Sequence, residues 1–329
     1  MFNFIKTLWK PEAYHNYNFK KIFFEGWYFK SVSIKHNNKL AIIPGIFKNK
    51  VKKKDFAFIQ FLNPNKNKSY FIEFSENLFK SEQNKFNLII ENSYFSLNEL
   101  QIDIKRDNFR AFGHLKFSEV NSWPVTLFSP GAMGWYSFVP FMECYHGILS
   151  FNHIVSGKIL LNEEIFIFTN DKGYIEKDWG SSFPESYIWM QSNNFDDPSI
   201  SFTLSVAKIP WLFKSFLGVL GAVYFEGKLI PFTTYNNTKI KKLEQTNDNI
   251  KIILENDNYI LEISANNIEN PGGLLKAPYY EDMLTRVNES MNSDINLILK
   301  KKIGKNTKTI IIDKGLHSGL EIVGNIKSL

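Results

Sequence analysis

The amino-acid sequence predicts an all-β protein built from antiparallel barrels or sandwiches. Aromatic residues make up 16% of its 329 residues, and aromatic side chains are enriched in strands. Short runs of β-branched and aromatic residues recur between breaks rich in Asn, Gly and Pro, which is the pattern of strands joined by turns. No convincing long amphipathic helix separates these runs. Antiparallel strands joined by short connections are therefore expected.

The N-terminal half of the sequence reads as a series of β-hairpins. Asn and Pro favour turns through their side-chain hydrogen bonds and fixed backbone angles, and such residues interrupt the first apolar runs. Residues 36–39 and 63–67 form the first two breaks. The predicted strands are 23–34, 40–44, 55–62, 68–74, 86–90, 94–97, 100–104 and 112–117.

The C-terminal half repeats this organisation, and we interpret the repeat as a faint internal duplication. Trp189 stands near the start of a predicted strand at residues 186–195, much as Trp27 does in its own strand. Each Trp-bearing strand is expected to open one barrel, which gives an N-terminal domain over residues 14–182 and a C-terminal domain over 183–329. The remaining predicted strands are 199–208, 222–225, 228–235, 250–254, 259–263, 295–299, 309–312 and 318–322.

The composition is that of a globular protein with a net positive charge. Hydrophobic residues make up 44% and charged residues 22% of the chain, and the formal net charge is +6. The lysines are scattered or lie in short runs such as residues 50–54 and 300–302, which is typical of solvated loops. No nucleic-acid motif accompanies this charge, so nucleic acid is not expected as a partner. Contact with an anionic membrane surface stays open.

Cysteine content and the N-terminal sequence predict a cytoplasmic protein. Cys144 is the only cysteine, so neither an internal disulfide nor a cysteine-based zinc site is expected. Residues 1–11 are too short and broken for a signal sequence and lack the Arg/Ser-rich character of a transit peptide. Residues 209–225 are apolar, yet they are fewer than the ~20 that a membrane-spanning helix needs and include Lys214. We expect a cytoplasmic location, with membrane association left open.

Residues 173–180, Gly-Tyr-Ile-Glu-Lys-Asp-Trp-Gly, are the most informative stretch. Side chains alternate along a strand, so Tyr174, Glu176 and Asp178 would share one face and the residues between them the other. Two carboxylates and a phenol on one face need a compensating partner, a water-filled cavity or a chemical role. Two interpretations stay open: an active site, and a hairpin end that is held by buried ion pairs and turns at Gly180.

A second informative stretch is the aromatic run of residues 130–150, which contains Glu143, Cys144 and His146. Polar side chains in such a run need hydrogen-bond partners if they are buried. A single histidine there is more often a hydrogen-bonded core residue than a ligand or catalyst. His153 follows at a spacing that matches no metal motif, so no metal site is expected.

These stretches resemble the signature blocks of the tocopherol cyclase family. Glu25-Gly26-Trp27-Tyr28 and Asp178-Trp179-Gly180 are also similar, more distantly, to blocks of carotenoid hydratases and lipocalin-like cyclases. The resemblance implies two tandem lipocalin-like antiparallel β-barrels, in agreement with the predicted strands. The blocks that carry the family resemblance are residues 24–30, 130–136, 140–147, 173–180, 277–281 and 319–324.

What this resemblance implies is acid-catalysed ring closure of a prenylated hydroquinone to a chromanol, without a redox cofactor or a metal. The chemistry needs an acid for the double bond, an acceptor for the phenolic proton, aromatic faces for the cation and a dry cavity. The expected acid is Asp178 or Glu176, with His146 and Glu143 as acid/base partners and Tyr174 orienting the ring. The expected substrate-binding residues are Trp27, Glu25, Tyr28, Trp135, Tyr136, Trp179, Trp189 and Gln191.

Two other functions stay open at this point. A carrier of a prenyl or other lipid ligand would use the same aromatic cavity, yet it would not need acids to converge with His146. An isoprenoid hydratase would trap the same cation with water instead of a phenol. Hydration adds the mass of water to the substrate, whereas cyclisation leaves the mass unchanged.

Overall fold

The computed structural model describes residues 7–15, 21–82, 84–140, 142–211, 214–266, 272–326 and 329. Strands dominate these residues, and the helical elements assigned among them are three short 3-10 helices. The all-β prediction is confirmed. The 3-10 helices are Glu76–Leu78, Gly134–Phe138 and Thr234–Asn236.

The strands are numbered in chain order. They are β1 Ile22–Ser33, β2 Asn38–Asn49, β3 Lys54–Asn63, β4 Lys68–Ser75, β5 Phe79–Ser81, β6 Asn87–Ile90, β7 Ser93–Ser96, β8 Glu99–Arg106, β9 Phe109–Ser118, β10 Cys144–Leu161, β11 Glu164–Gly180, β12 Tyr187–Ser192, β13 Ser201–Trp211, β14 Lys214–Phe225, β15 Lys228–Thr233, β16 Lys239–Gln245, β17 Asn249–Glu255, β18 Tyr259–Asn266, β19 Gly273–Tyr279, β20 Asp282–Ile303 and β21 Asn306–Val323.

The strands form two antiparallel sheets with related topologies. The first has the order β4-β3-β2-β1-β11-β10-β9-β8-β7-β6-β5. The second has the order β15-β14-β13-β12-β21-β20-β18-β17-β16, and β19 pairs with β20 beside this path. In both sheets the first strand lies next to the last: β1 beside β11, and β12 beside β21. The strands that carry Trp27 and Trp189 are therefore each the first strand of a sheet.

The chain divides into two compact units. The first holds Met1–Phe183 together with Leu275–Thr285, and the second holds Pro184–Leu274 together with Arg286–Leu329. The short segment Leu275–Thr285 contains the end of β19 and the start of β20. Its backbone is fixed within the first unit by Gln60, whose side chain accepts a hydrogen bond from Lys276 N at 2.8 Å.

The two units have cores of different composition. In the first, Trp27 stacks on Phe86 at 5.3 Å between ring centroids, and Phe29 lies 6.0 and 5.9 Å from Phe95 and Phe117. The second is mainly aliphatic, with buried Ile, Leu and Val from β12–β14, β17, β18 and β20. Side chains alternate along β1, so Trp27 and Phe29 point into this aromatic core. Gly26 and Tyr28 lie on the opposite face of the strand.

Long strands are the main departure from the predicted elements. β10 and the first part of β11 lie outside the predicted strands, and β20 covers far more than the predicted strand at 295–299. β10 reaches this length with register shifts between Ile148 and Ser150, between Ser150 and His153, and between Val155 and Gly157. Such bulges bend a strand without ending it. They also disturb the strict alternation of polar and apolar residues by which strands are recognised in a sequence.

The apolar segment at residues 209–225 forms the end of β13 and the whole of β14, on either side of residues 212–213, which lie outside the described residues. Within the described part of the chain, no helix has the length and hydropathy needed to span a bilayer.

Candidate functional site

The candidate site is built on β11, which lies between β1 and β10. In the antiparallel register, Glu176 is opposite Tyr28 on β1, and Asp178 is opposite His146 on β10. Residues directly opposite each other in such a pair point to the same face of the sheet. Tyr174, two residues before Glu176, points to that face as well. We call this side of the sheet the acid face.

Four side chains on the acid face form a continuous polar group. His146 Nδ1 lies 2.8 Å from Asp178 Oδ1, and His146 Nε2 lies 3.6 Å from Glu176 Oε2. The Tyr174 hydroxyl donates a hydrogen bond of 2.6 Å to Glu176 Oε2. Side-chain exposure falls along the group, from 22% for Asp178 to 14% for His146 and 7% for Glu176. The group therefore has an open end at Asp178 and a closed end at Tyr174, which is 1% exposed.

Cys144 adds a thiol at the open end. Its Sγ lies 3.8 Å from Asp178 Oδ1, in position to donate a weak hydrogen bond. Burial raises the pKa of the Cys144 thiol well above its ordinary value, and the Asp178 and Glu143 carboxylates raise it further. The thiol is thus held in its neutral form. Sequence reasoning noted Cys144 as an isolated cysteine and missed this contact, because only the β10–β11 register brings the two side chains together.

Gly26 presents no side chain beside Asp178. It lies directly opposite Asp178 in the β1–β11 pair, and a Cβ placed on it would have no atom closer than 3.8 Å. Next to it across the sheet is Gly45 on β2, where a Cβ would lie 2.4 Å from the ring of Phe58. A methyl group at Gly26 would thus fit in ordinary van der Waals contact with Ile43 and Phe58, whereas the ring of Phe58 fills the position at Gly45.

An apolar wall of mainly phenylalanine side chains lies next to Gly26. Phe24, Phe47, Phe56, Phe58 and Met283 form a buried cluster within the first unit, and Cys144 packs against it. Phe24 is opposite Gly180 and shares its face with Asp178 two residues away. The acid face thus places a polar, proton-bearing group next to aromatic side chains.

The opposite face of the same strands holds a second ionic group, which is enclosed. Lys177 Nζ forms an ion pair with Glu25 Oε1, and both side chains are 0% exposed. It also lies 2.7 Å from His15 Nδ1, donates to Pro11 O at 3.0 Å and donates to Ala13 O. These contacts hold residues 11–15 of the N-terminal arm against the sheet.

Aromatic rings complete this enclosed group. The rings of Trp27 and Trp179 each lie 4.8 Å from Lys177 Nζ, within the range of cation–π attraction. The His15 ring stacks on Trp179 at 4.4 Å with an angle of 4° between the planes. Burial lowers the pKa of Lys177 to about 8, against the opposing effect of Glu25. Burial and the Lys177 charge also lower the pKa of His15.

Comparison with known proteins identifies the family. The model of the family described as tocopherol cyclase-like matches residues 111–324 of this chain. The chain belongs to the tocopherol cyclase-like family. The matched range includes both β10 and β11, and therefore His146 and the acids opposite and beside it.

Two curated relatives come from plants. The Oryza sativa subsp. japonica protein named "Probable tocopherol cyclase, chloroplastic" is 29% identical over 209 residues, which are 61% of this chain and 44% of the relative. The Zea mays protein named "Tocopherol cyclase, chloroplastic" is 28% identical over 200 residues, which are 58% of this chain and 41% of the relative. The match thus spans less than half the length of these relatives.

Solved structures share the fold at low sequence identity. A Nitrosomonas europaea protein assigned as AttH has a TM-score of 0.52 and 13% identity, with 92% of this chain and 93% of that chain covered. CghA bound to Sch210972 has a TM-score of 0.54 and 8% identity, with 92% and 89% covered. These likenesses confirm the lipocalin-like fold that the sequence predicts for this family member.

The structure separates the predicted site residues into groups. Asp178, Glu176, His146 and Tyr174 come together on the acid face, and Tyr28 lies opposite Glu176 there. Glu25, Trp27 and Trp179 belong to the enclosed face around Lys177. Trp189 and Gln191 lie on β12 of the second unit.

The remaining predicted residues lie near the start of β10. Trp135 and Tyr136 stack on each other at 4.1 Å in the 3-10 helix Gly134–Phe138, and Trp135 is 50% exposed. Glu143 O accepts hydrogen bonds from Ser181 N at 2.9 Å and from Ser182 N at 3.2 Å. This backbone contact ties the start of β10 to the end of β11.

Ligand atoms of His146, Glu176 and Asp178 lie within 4.8 Å of one another. Imidazole and carboxylate groups at this separation can share either a proton or a metal ion. One imidazole nitrogen already lies at hydrogen-bond distance from Asp178 and the other faces Glu176. An ion held by all three residues would replace the His146–Asp178 hydrogen bond.

Proposed function

We propose that this protein is an enzyme that closes a chromanol ring on a prenylated hydroquinone by acid catalysis. The observation that carries the proposal is the continuous polar group of Asp178, His146, Glu176 and Tyr174 on the acid face. Membership of the tocopherol cyclase-like family supports this reaction class. The names of the plant relatives support a substrate of the prenylated hydroquinone type.

Asp178 is the proton donor in this proposal. Its side chain is 22% exposed against 7% for Glu176, so it is the carboxyl group better placed to meet a substrate. A hydrogen bond from His146 to Asp178 Oδ1 stabilises the carboxylate that remains after proton transfer. Glu176, which accepts from Tyr174, balances the positive charge when His146 is protonated.

Atoms and charges balance across the proposed reaction. The Asp178 proton adds to the less substituted carbon of the prenyl double bond, whose π electrons form the new C–H bond and leave a tertiary cation. The phenol oxygen donates a lone pair to this cation and forms the C–O bond. The phenolic proton then returns to the Asp178 carboxylate, directly or through His146. Substrate and product are isomers, and the enzyme regains its starting state.

In this proposal the substrate binds next to Gly26 and the phenylalanine wall. Gly26, which carries no side chain, lies directly opposite Asp178, where the double bond must be protonated. Phe24 and Phe58 are buried next to it and make the surroundings of Asp178 apolar on that side. The Tyr28 ring, opposite Glu176, can stabilise the developing cation through its π-face.

The test is incubation of the purified protein with a panel of prenylated hydroquinones under anaerobic conditions, which prevent oxidation to quinones. Wild type is expected to yield a chiral product of unchanged mass. Asp178→Asn and His146→Ala are expected to slow its formation by about 10²–10⁴-fold, because the positioned acid is lost. Asp107→Asn, an exposed acid in the β8–β9 turn, is the matched control and should react as wild type does.

Other outcomes would replace the proposal. A product heavier by one water would indicate a hydratase that uses the same acids. Quinols that bind with micromolar or better affinity and are recovered unchanged would indicate a carrier. Full cyclase activity in Asp178→Asn would show that the proton comes from another group.

A further inference from the structure

An exposed apolar surface lies on the first unit, outside the acid face. Leu127 and Phe128 are 67% and 80% exposed, and Trp135 and Phe138 are 50% and 40% exposed. Trp9 joins these parts, since its Nε1 donates to Leu127 O at 3.1 Å and its ring lies 5.8 Å from that of Phe138. We call these five residues the tip surface.

The residues of the tip surface at 127–138 lie on a hydrogen-bonded turn and a 3-10 helix. Leu127 and Phe128 are the two central residues of a turn closed by reciprocal backbone hydrogen bonds between Thr126 and Ser129. Trp135 and Phe138 lie on the 3-10 helix Gly134–Phe138. The Ser137 hydroxyl donates to Pro130 O at 3.2 Å and holds this helix against the turn. The exposed side chains are thus held in place by backbone contacts beneath them.

Charge is absent from this segment. Residues 120–142 contain no Asp, Glu, Lys or Arg, although charged residues make up 22% of the whole chain. The nearest described cation on the arm is Lys10, which is adjacent to Trp9 and donates to Asn84 O at 3.0 Å. The formal net charge of the chain is +6. An uncharged aromatic tip on a cationic protein is the arrangement found in proteins that bind the interface of an anionic bilayer.

We propose that the tip surface docks on a lipid bilayer, with Leu127 and Phe128 inserted among the acyl chains and Trp135 and Trp9 at the headgroup level. A second copy of the chain is the poorer match, because a stable protein interface takes ~20–30 residues from each partner and the tip offers only a few projecting side chains. The proposal does not depend on the reaction assigned to the acid face. A bilayer would, however, be a source of prenylated substrates.

Co-sedimentation of the full chain with vesicles tests this surface. Vesicles of phosphatidylcholine with phosphatidylglycerol should retain wild type, and pure phosphatidylcholine should retain less of it. The double variant Leu127→Ser/Phe128→Ser should lower the partition coefficient at least about tenfold, because two large apolar side chains no longer leave water. Phe112→Ser removes another exposed phenylalanine, 53% exposed on β9, and should bind as wild type does.

Fluorescence of the unmodified protein provides a readout that does not depend on the folding of a variant. Brominated acyl chains should quench part of the tryptophan emission, and Trp135→Phe should reduce the quenched part. The proposal is overturned if wild type stays in the supernatant with both vesicle types, or if the double variant binds as wild type does. It is also overturned if sedimentation velocity shows a dimer that the double variant abolishes. Turnover of a detergent-dispersed quinol separates failure of docking from failure of the acid face.

Discussion

The two faces of β11 hold ionisable residues in opposite environments. On the acid face, Asp178 and His146 are partly exposed, and both carboxylates lie close to the His146 ring. On the other face, Lys177 and Glu25 have no exposed side-chain surface, and backbone carbonyls and tryptophan rings surround the lysine. Along residues 176–178, Glu176 and Asp178 thus lie on the acid face and Lys177 lies in the enclosed group.

This difference predicts that the Lys177 face contributes to stability and the acid face to reactivity. A buried charge whose partners are all fixed cannot reach a substrate, yet it costs the fold several kcal/mol if one partner is removed. A partly exposed acid contributes little to stability and can exchange its proton. We therefore expect substitutions on the Lys177 face to change the free energy of unfolding, and substitutions at the open end of the acid face to change turnover.

The largest expected effect on stability is that of Lys177→Met. Removing the ammonium group leaves the Glu25 carboxylate buried with His15 as its remaining partner among the described residues, and breaking such a pair costs about 3–5 kcal/mol. Denaturation in urea at pH 7 measures the loss. Lys116→Met, an exposed lysine on β9, is the matched control and should change stability by less than about 0.5 kcal/mol.

The double variant Glu25→Gln/Lys177→Met sharpens this result. It should recover part of the loss, because no unpaired carboxylate remains in the interior. A Lys177→Met protein as stable as wild type would contradict the contrast between the faces, since it would mean that the enclosed ion pair contributes nothing.

An intermediate effect is expected from His153, which lies opposite Gly173 and so on the Lys177 face. Burial lowers the pKa of His153 from 6.5 to about 3. The unfolded chain therefore binds a proton below pH 6.5 that the folded chain does not. The stability held by neutral His153 is fully present above pH 6.5 and is lost as the pH falls toward about 3, by up to about 1.4 kcal/mol per pH unit.

Urea denaturation at pH 7, 6 and 5 tests the histidine. His153→Gln should be less stable than wild type at pH 7, and the difference should shrink as the pH falls, because glutamine does not titrate. His36→Gln, at an exposed position in the β1–β2 turn, should show no such convergence. Parallel stability curves for wild type and His153→Gln would contradict this, since they would mean that His153 has the same pKa in the folded and unfolded chain.

Much of the first sheet follows from local sequence. Strands β1, β3 and β4 match the predicted strands to within one residue at each end, because β-branched and aromatic runs end at Asn- and Pro-rich turns. The predicted strand at 40–44 is too short, since β2 continues past Pro44 to Asn49. The length of β10 and β11 does not follow, since bulges at Ser150 and Gly157 break the alternating pattern. The segment Leu275–Thr285 belongs to the first unit because of long-range contacts such as that of Gln60 with Lys276. No local sequence pattern predicts such contacts.

The candidate site shows the same limit. Alternation along residues 173–180 is enough to place Tyr174, Glu176 and Asp178 on one face. The approach of His146 to Asp178 requires the β10–β11 register, and the enclosure of Lys177 requires the arm at residues 11–15. Glu25 and Trp27 stand in one motif with Gly26, yet they point away from Asp178 because neighbours on a strand alternate. Two residues of one sequence motif can therefore point to opposite faces of the sheet.

The smallest expected effect on stability is that of Asp178→Asn. The side chain is 22% exposed and its partner His146 is 14% exposed, so solvent can replace the lost interaction and the free energy of unfolding should change by less than about 1 kcal/mol. Turnover should still fall by about 10²-fold or more, because asparagine has no proton to give. Urea denaturation and product formation, measured on one preparation, test both statements. A loss of stability as large as that of Lys177→Met would mean that both faces of β11 are structural, and the proton donor would then have to lie elsewhere.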